Sequence, residues 1–239
     1  MTRHIPNTIT SLNLVCGCIG IGMAVQYGVD GLPAAAFWMF LAAVFDFFDG
    51  FVARLLKVSS PFGKEMDSLA DVVSFGVLPG LMVFVMLNAC VGEVEGVARY
   101  FPYVAFLIPV FSGLRLAKFN IDTRQSESFI GLPTPANAIF FASFPLILAY
   151  QPDKFVFITS VISNPAVLMF LSVFMSLLLV SELRMFALKF KGFGIKGNEI
   201  KYLFLLLSLL LLLLMQYTAI PLILVLYILL SLIQNFVKK

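Results

Sequence analysis

From residue 202 to residue 233 the chain reads YLFLLLSLLLLLLMQYTAIPLILVLYILLSLI, without one charged side chain. A helix needs about 20 apolar residues to cross the ~30 Å hydrocarbon core of a bilayer, so this run is long enough to cross twice. The polar step and proline in "YTAIP" give it a place to turn. The rest of the chain is of the same kind, with 61% hydrophobic residues, 12% charged residues, 26 Phe and a mean hydropathy of +1.01. Those values lie far outside the range of a soluble domain. Inside lipid each backbone N–H and C=O must be satisfied by the chain itself, which leaves the helix as the natural element. The fold class expected is an all-α integral membrane protein.

Turn and loop signals divide the sequence into eight expected spans, roughly 8–28, 33–56, 63–91, 101–119, 134–151, 162–182, 201–217 and 219–236. With both ends inside, 14 of the 16 basic residues fall on the cytoplasmic side: Arg3, Arg54, Lys57, Lys64, Arg115, Lys118, Arg124, Arg184, Lys189, Lys191, Lys196, Lys201, Lys238 and Lys239. Only Arg99 and Lys154 fall outside, a strong positive-inside bias. The first apolar run is followed by further spans and by no A-x-A-like site, so it reads as a signal anchor. The basic, partly apolar segment 183–201 reads as a cytoplasmic loop lying on lipid headgroups. No internal repeat or soluble domain is visible, and no nucleic-acid partner is expected.

Three cysteines, Cys16, Cys18 and Cys90, make no disulfide framework and read as small core residues. A single histidine, His4, excludes a His-rich metal site. The chemistry lies instead in FDFFDGFVARLLKVSSPFGKEMDSLAD, residues 45–71, where Asp46, Asp49, Asp67 and Asp71 fall within 26 residues. Asp46 and Asp49 are three apart and Asp67 and Asp71 four apart, so each pair shares one face of its helix. The short "KVSSPFG" connection makes the two helices neighbours, and four carboxylates can converge at the membrane boundary. Each charge placed deep in a bilayer costs at least ~2.5–3.5 kcal/mol, and like charges repel. Arg54 and Lys64 are too few to neutralise them. An all-oxygen site calls for a hard divalent cation, and four carboxylates can hold two ions ~3.5–4 Å apart. Gly50 and Gly63 leave room for a bulky group near the backbone, Arg54 can fork onto phosphate oxygens, and Ser59 and Ser60 supply hydroxyls.

The pattern Asp46-x2-Asp49-Gly50-x2-Ala53-Arg54-x8-Gly63-x3-Asp67-x3-Asp71 resembles the signature of the CDP-alcohol phosphatidyltransferase family at all eight positions. The resemblance implies a six-helix catalytic core, here residues 1–190, followed by a two-helix C-terminal extension, residues 191–239. It implies two divalent cations, Mg²⁺ or Mn²⁺, held by Asp46, Asp49, Asp67 and Asp71, with Asp71 also the base that activates the acceptor hydroxyl. Gly50, Arg54, Ser60, Gly63 and Asn13 are then the expected contacts to a CDP-linked lipid. Three further stretches, "IPNTITSLNLVCG", "GLRLAKFN" and "ESFIGLPTPANA", together with the loop 187–202, are similar to phosphatidylserine synthases within the family. That likeness implies CDP-diacylglycerol and L-serine as substrates and phosphatidylserine and CMP as products. Relatives often carry Arg where this chain has Lys118, which keeps the charge without bidentate geometry.

Serine carries a carboxylate that the aspartates would repel, so Arg115 and Lys118, three apart on one helix face, are the candidates to hold it. Asn7 is a further candidate for the cytidine, and Gly17, Gly20 and Gly22 read as sites of close helix packing. Family likeness also implies a homodimer, and the same charge placement puts the four aspartates, and so the active site, on the cytoplasmic side of the inner membrane. The nearest rival keeps the reaction and changes the acceptor to glycerol 3-phosphate or an inositol phosphate. A cation channel or transporter would want its carboxylates near mid-membrane, away from Arg54. An intramembrane aspartyl protease has no use for a phosphate-binding arginine.

Overall fold

The computed structural model describes residues 4–58, 60–91, 96–122, 129–186, 194 and 198–237. Ser59, the basic residues Arg3, Arg124, Lys189, Lys191, Lys196, Lys238 and Lys239, and most of the 187–202 loop lie outside them.

Helix α1 (His4–Tyr27) turns through a 3-10 segment, Gly28–Gly31, into α2 (Leu32–Leu55). The two run antiparallel, since Thr10 near the start of α1 meets Asp49 near the end of α2. Glycine makes the closure possible. A Cβ at Gly31 would collide with the Met23 carbonyl, and one at Gly20 would strike Leu78 and press on the Ala35 carbonyl. A Cβ at Gly17 would fall on Ser74. Gly22 does not share this role: a Cβ there meets nothing within 4 Å.

Helix α3 (Pro61–Asp71) starts where the Ser60 Oγ accepts a 3.0 Å bond from the Gly63 N–H, with Pro61 at the first helical position. It passes through a π-helical stretch, Val72–Val77, into α4 (Leu78–Val91), one continuous run of 31 residues. A 3-10 segment, Gly96–Phe106, leads into α5 (Leu107–Ile121). Then follow β1 (Phe129–Ile130), α6 (Thr134–Tyr150), α7 (Val156–Ile162), α8 (Pro165–Val180), β2 (Arg184–Met185), α9 (Glu199–Met215) and α10 (Ala219–Val237). The strands pair antiparallel, Phe129 opposite Met185 and Ile130 opposite Arg184. This small ladder was not expected in an all-α chain.

Helix α6 is the axis of the bundle, packed by α2, α4, α10 and the π-helical stretch. Phe140, Phe141 and Phe144 meet edge-to-face with centroids 4.9–5.7 Å apart. At its far end Gln151 Oε1 accepts from the Thr218 N–H and hydroxyl while Gln151 Nε2 donates to Gln216, which ties α6 to the α9–α10 turn. The outward leucines of α9 and α10 stay exposed, which suits lipid rather than water. Among the described residues four helical runs are long and apolar enough to cross a bilayer, or five if α7 and α8, bent by 72°, count as one. Two of those runs, His4–Leu55 and Glu199–Asn235, fold back as helical hairpins. Cys16 is buried as expected, but Cys18 and Cys90 are exposed and are not core residues.

Candidate metal centre

Asp46 and Asp49 sit on the last turns of α2, and Asp67 and Asp71 on α3. One oxygen from each of Asp46, Asp49 and Asp67 lies within 4.8 Å of the other two. Asp71 stands one turn beyond Asp67, within electrostatic reach of Asp46. The cluster is held from the α1 side. Thr10 Oγ1 donates to Asp49 Oδ2 at 2.6 Å, and Asn13 Nδ2 donates to Asp71 Oδ1 at 3.3 Å. Asn13 is in turn fixed through its backbone carbonyl, which accepts from Ser74 Oγ at 3.1 Å.

Asp67 Oδ1 is buried without a hydrogen-bond partner. A buried carboxylate oxygen left bare is costly, and beside two further carboxylates a bound cation would offset both the repulsion and the missing partner. The donor set is all oxygen, with no His or Cys, and so fits a hard divalent ion.

A cavity of about 290 Å³ opens beside the cluster, lined by Pro6, Asn7, Thr10, Asp49, Gly50, Ala53, Val58, Ser60, Gly63, Lys64 and Asp67. A Cβ at Gly50 would sit 3.5 Å from an Arg54 guanidinium nitrogen, so Arg54 folds back over the bare glycine one turn earlier. A Cβ at Gly63 would lie 3.0 Å from Asn7 Oδ1. Lys64 Nζ donates to the Asn120 carbonyl at 2.8 Å and Asn120 Nδ2 donates to Ser68 Oγ at 2.8 Å, so the wall is strapped to the end of α5.

The expected site residues separate into three groups. Asp49, Gly50, Ser60, Gly63 and Asp67 line the cavity. Asp46, Asp71 and Arg54 adjoin it, and Asn13 is completely buried against Asp71. Arg115 is buried next door: its Nη1 donates to Thr134 Oγ1 at 3.4 Å, its guanidinium lies 5.0 Å from the Phe119 ring centroid, and Asp71 and Tyr227 are within electrostatic reach. Lys118 points to the outer edge and pairs with Glu182 at 2.6 Å. Sequence reasoning missed Thr10, Asn120 and Tyr227. Thr10 carried a usable signal, since Pro6, Thr10, Asn13, Gly17, Gly20 and Ala24 recur at intervals of four and three and form one buried face.

Residues 3–178 match the model of the family described as CDP-alcohol phosphatidyltransferase. A protein of Helicobacter pylori (strain J99) named CDP-diacylglycerol–serine O-phosphatidyltransferase is 40% identical over 137 residues, 56% of this chain and 54% of that protein. One of the same name from Bacillus subtilis is 34% identical over 138 residues, 56% of this chain and 70% of the relative. An archaetidylserine synthase of Methanothermobacter thermautotrophicus is 35% identical over 163 residues, 66% and 65% of the two chains. The chain spans about half the length of the Helicobacter relative.

Proposed function

Because this chain belongs to the CDP-alcohol phosphatidyltransferase family, we propose that it transfers the phosphatidyl group of CDP-diacylglycerol to the hydroxyl of L-serine, giving phosphatidylserine and CMP. The observation that carries the reading is the convergence of Asp46, Asp49 and Asp67 within 4.8 Å, beside a cavity with hydroxyl and cationic walls. Serine as acceptor draws support from the names of the relatives, two of them bacterial and one archaeal.

Asp46, Asp49, Asp67 and Asp71 would hold two divalent cations, Mg²⁺ or Mn²⁺. When bound, such ions neutralise a diphosphate and make CMP a workable leaving group. Arg54 and Lys64 add positive charge for phosphate oxygens, while Gly50, Gly63, Ser60 and Asn7 shape the nucleotide's side of the cavity. Asp71 takes the proton of the serine hydroxyl as its oxygen bonds to the phosphatidyl phosphorus, and the P–O bond to CMP breaks with its electron pair. Asn13 holds the Asp71 carboxylate in place for that transfer. Arg115, buried and without a carboxylate in its own hydrogen bond, takes the serine carboxylate, and Lys118 stands at the rim in its pair with Glu182.

We place the protein in the inner membrane as a homodimer, with both termini and the site on the cytoplasmic side. Residues 1–190 form the catalytic core and 191–239 the extension. The test is purified protein with CDP-diacylglycerol, Mn²⁺ or Mg²⁺ and labelled serine, followed by a panel of acceptors at fixed donor. Labelled phosphatidylserine and CMP in equal amounts are expected. No CMP release with any metal would end the enzyme reading, and release with glycerol 3-phosphate or an inositol phosphate in place of serine would change the acceptor.

A further inference from the structure

A second cavity, of about 440 Å³, lies between α6, α9 and α10. Its size is in the range of ligand sites, ~300–1,000 Å³. Pro133, Ala136 and Ile139 form one wall and Phe204, Ile223 and Tyr227 face them. The one polar atom among these side chains, the Tyr227 hydroxyl, is already engaged, donating to the Phe186 carbonyl at 2.9 Å. Water needs two to four polar partners to occupy a cavity, and these side chains leave it at most the Tyr227 oxygen as an acceptor, so the occupant is apolar.

Position says which apolar molecule. Pro133 at one end directly precedes Thr134, the acceptor of the Arg115 hydrogen bond. Tyr227 in the opposite wall lies within electrostatic reach of Arg115, and Arg115 within reach of Asp71. From Pro133 to Ile139 the wall runs about 9 Å along α6, away from the carboxylates at 1.5 Å per residue. A molecule whose charged head is held at the aspartates therefore has a place here for part of its tail. We propose that this cavity takes one acyl chain of the CDP-linked lipid, so that the α9–α10 hairpin, which lies beyond the matched residues 3–178, is part of the lipid site. The inference rests on the proposed function for its donor lipid, not for its acceptor.

Two measurements test it. In the first, the full chain in liposomes is irradiated with CDP-diacylglycerol carrying a diazirine near the middle of one acyl chain. Adducts are expected on Ile223–Tyr227 or Phe204, and excess unlabelled CDP-diacylglycerol should remove them where phosphatidylcholine does not. Equal competition by phosphatidylcholine would make the occupant a bystander lipid, and adducts confined to other helices would remove the site; either overturns the proposal. In the second, Ile223→Trp narrows the cavity and Ile223→Ala widens it. The ratio of kcat/KM for dipalmitoyl over dioctanoyl donor should fall about tenfold in the first variant, the loss of roughly two buried methylenes, and should not fall in the second. An unchanged ratio in Ile223→Trp overturns the proposal. Should that variant fail to fold, the crosslink in the unsubstituted chain decides. Adducts at these positions from a protein that never uses serine would sink the acceptor and keep the cavity's role; serine turnover without them would do the reverse.

Discussion

Asp67 and Asp71 lie one turn apart on the same helix, yet their surroundings differ. Asp67 faces the cavity with one oxygen buried and bare, whereas Asp71 is held by Asn13. A bare oxygen beside two other carboxylates is suited to a cation, and a held one to a proton transfer of fixed direction. Asp71→Asn is therefore expected to abolish turnover while largely sparing CDP-diacylglycerol binding, and Asp67→Asn to weaken metal dependence and binding together. Rates at saturating metal and donor binding by equilibrium dialysis separate the two, and near-normal turnover in Asp71→Asn would remove it as the base. Thr10→Val deletes the 2.6 Å bond to Asp49 and leaves that oxygen undirected. A buried charge-assisted bond is worth about 1.5–3 kcal/mol, so the half-saturating Mn²⁺ concentration should rise by about tenfold or more. The spacing of the aspartates already implied their convergence, because three- and four-residue steps on adjoining helices leave few other arrangements. Thr10 and Tyr227 were not legible in the same way. A lone hydroxyl in an apolar helix reads alike whether it reaches only its own backbone, as Ser172 does, or also a carboxylate 39 residues away, as Thr10 does beside its contact to the Pro6 carbonyl. Nor does the charge of Lys118 reveal that Glu182 claims it.

The π-helical stretch Val72–Val77 begins directly after Asp71, at the point where α3 leaves the carboxylates and enters the core. Such a stretch carries extra residues in its turn, so it resets the face that follows, and it recurs near functional sites. Here it turns Ser74 to the Asn13 carbonyl and Gly76 to Pro109 and Ser112 of α5. Helix α1 can approach this stretch only because Gly17 has no side chain. Gly17→Ala should force α1 and Ser74 apart, break the Ser74–Asn13 bond and cost roughly 1–3 kcal/mol, the usual range for overpacking. Gly22→Ala, whose Cβ meets open space, should stay within about 0.5 kcal/mol. Thermal unfolding of both variants in detergent, beside the unsubstituted chain, gives the comparison, and equal loss in the two would refute the packing account. Apolar length made the helices legible from the sequence. The π-helical register was not, because its residues are as apolar as any α-helical turn, and neither was the two-residue ladder joining Phe129–Ile130 to Arg184–Met185.

At the scale of the whole molecule the carboxylates belong to one end of the bundle. Asp46 and Asp49 lie in the last turns of α2, Asp67 lies near the start of the run from Pro61 to Val91, and Thr10 lies near the start of α1. Cys90 ends that same run, 19 residues after Asp71, which at 1.5 Å per residue is roughly 28 Å, close to the full hydrocarbon thickness. A run of that length that crosses the bilayer would put the two on opposite sides of the membrane. The Cys90 thiol is exposed and can report which side is which. With the site facing the cytoplasm, a charged, membrane-impermeant maleimide added to intact cells or right-side-out vesicles should label Cys90. A cysteine placed at Lys57, between α2 and α3, should label only after permeabilisation. Cys90→Ser serves as the control, because Cys18 is also exposed but lies mid-way along α1, where a charged reagent does not penetrate lipid. Labelling of position 57 from outside with Cys90 protected would put the aspartates on the outer face, away from the nucleotide-linked lipid they are proposed to hold, and the positive-inside assignment would fall with it.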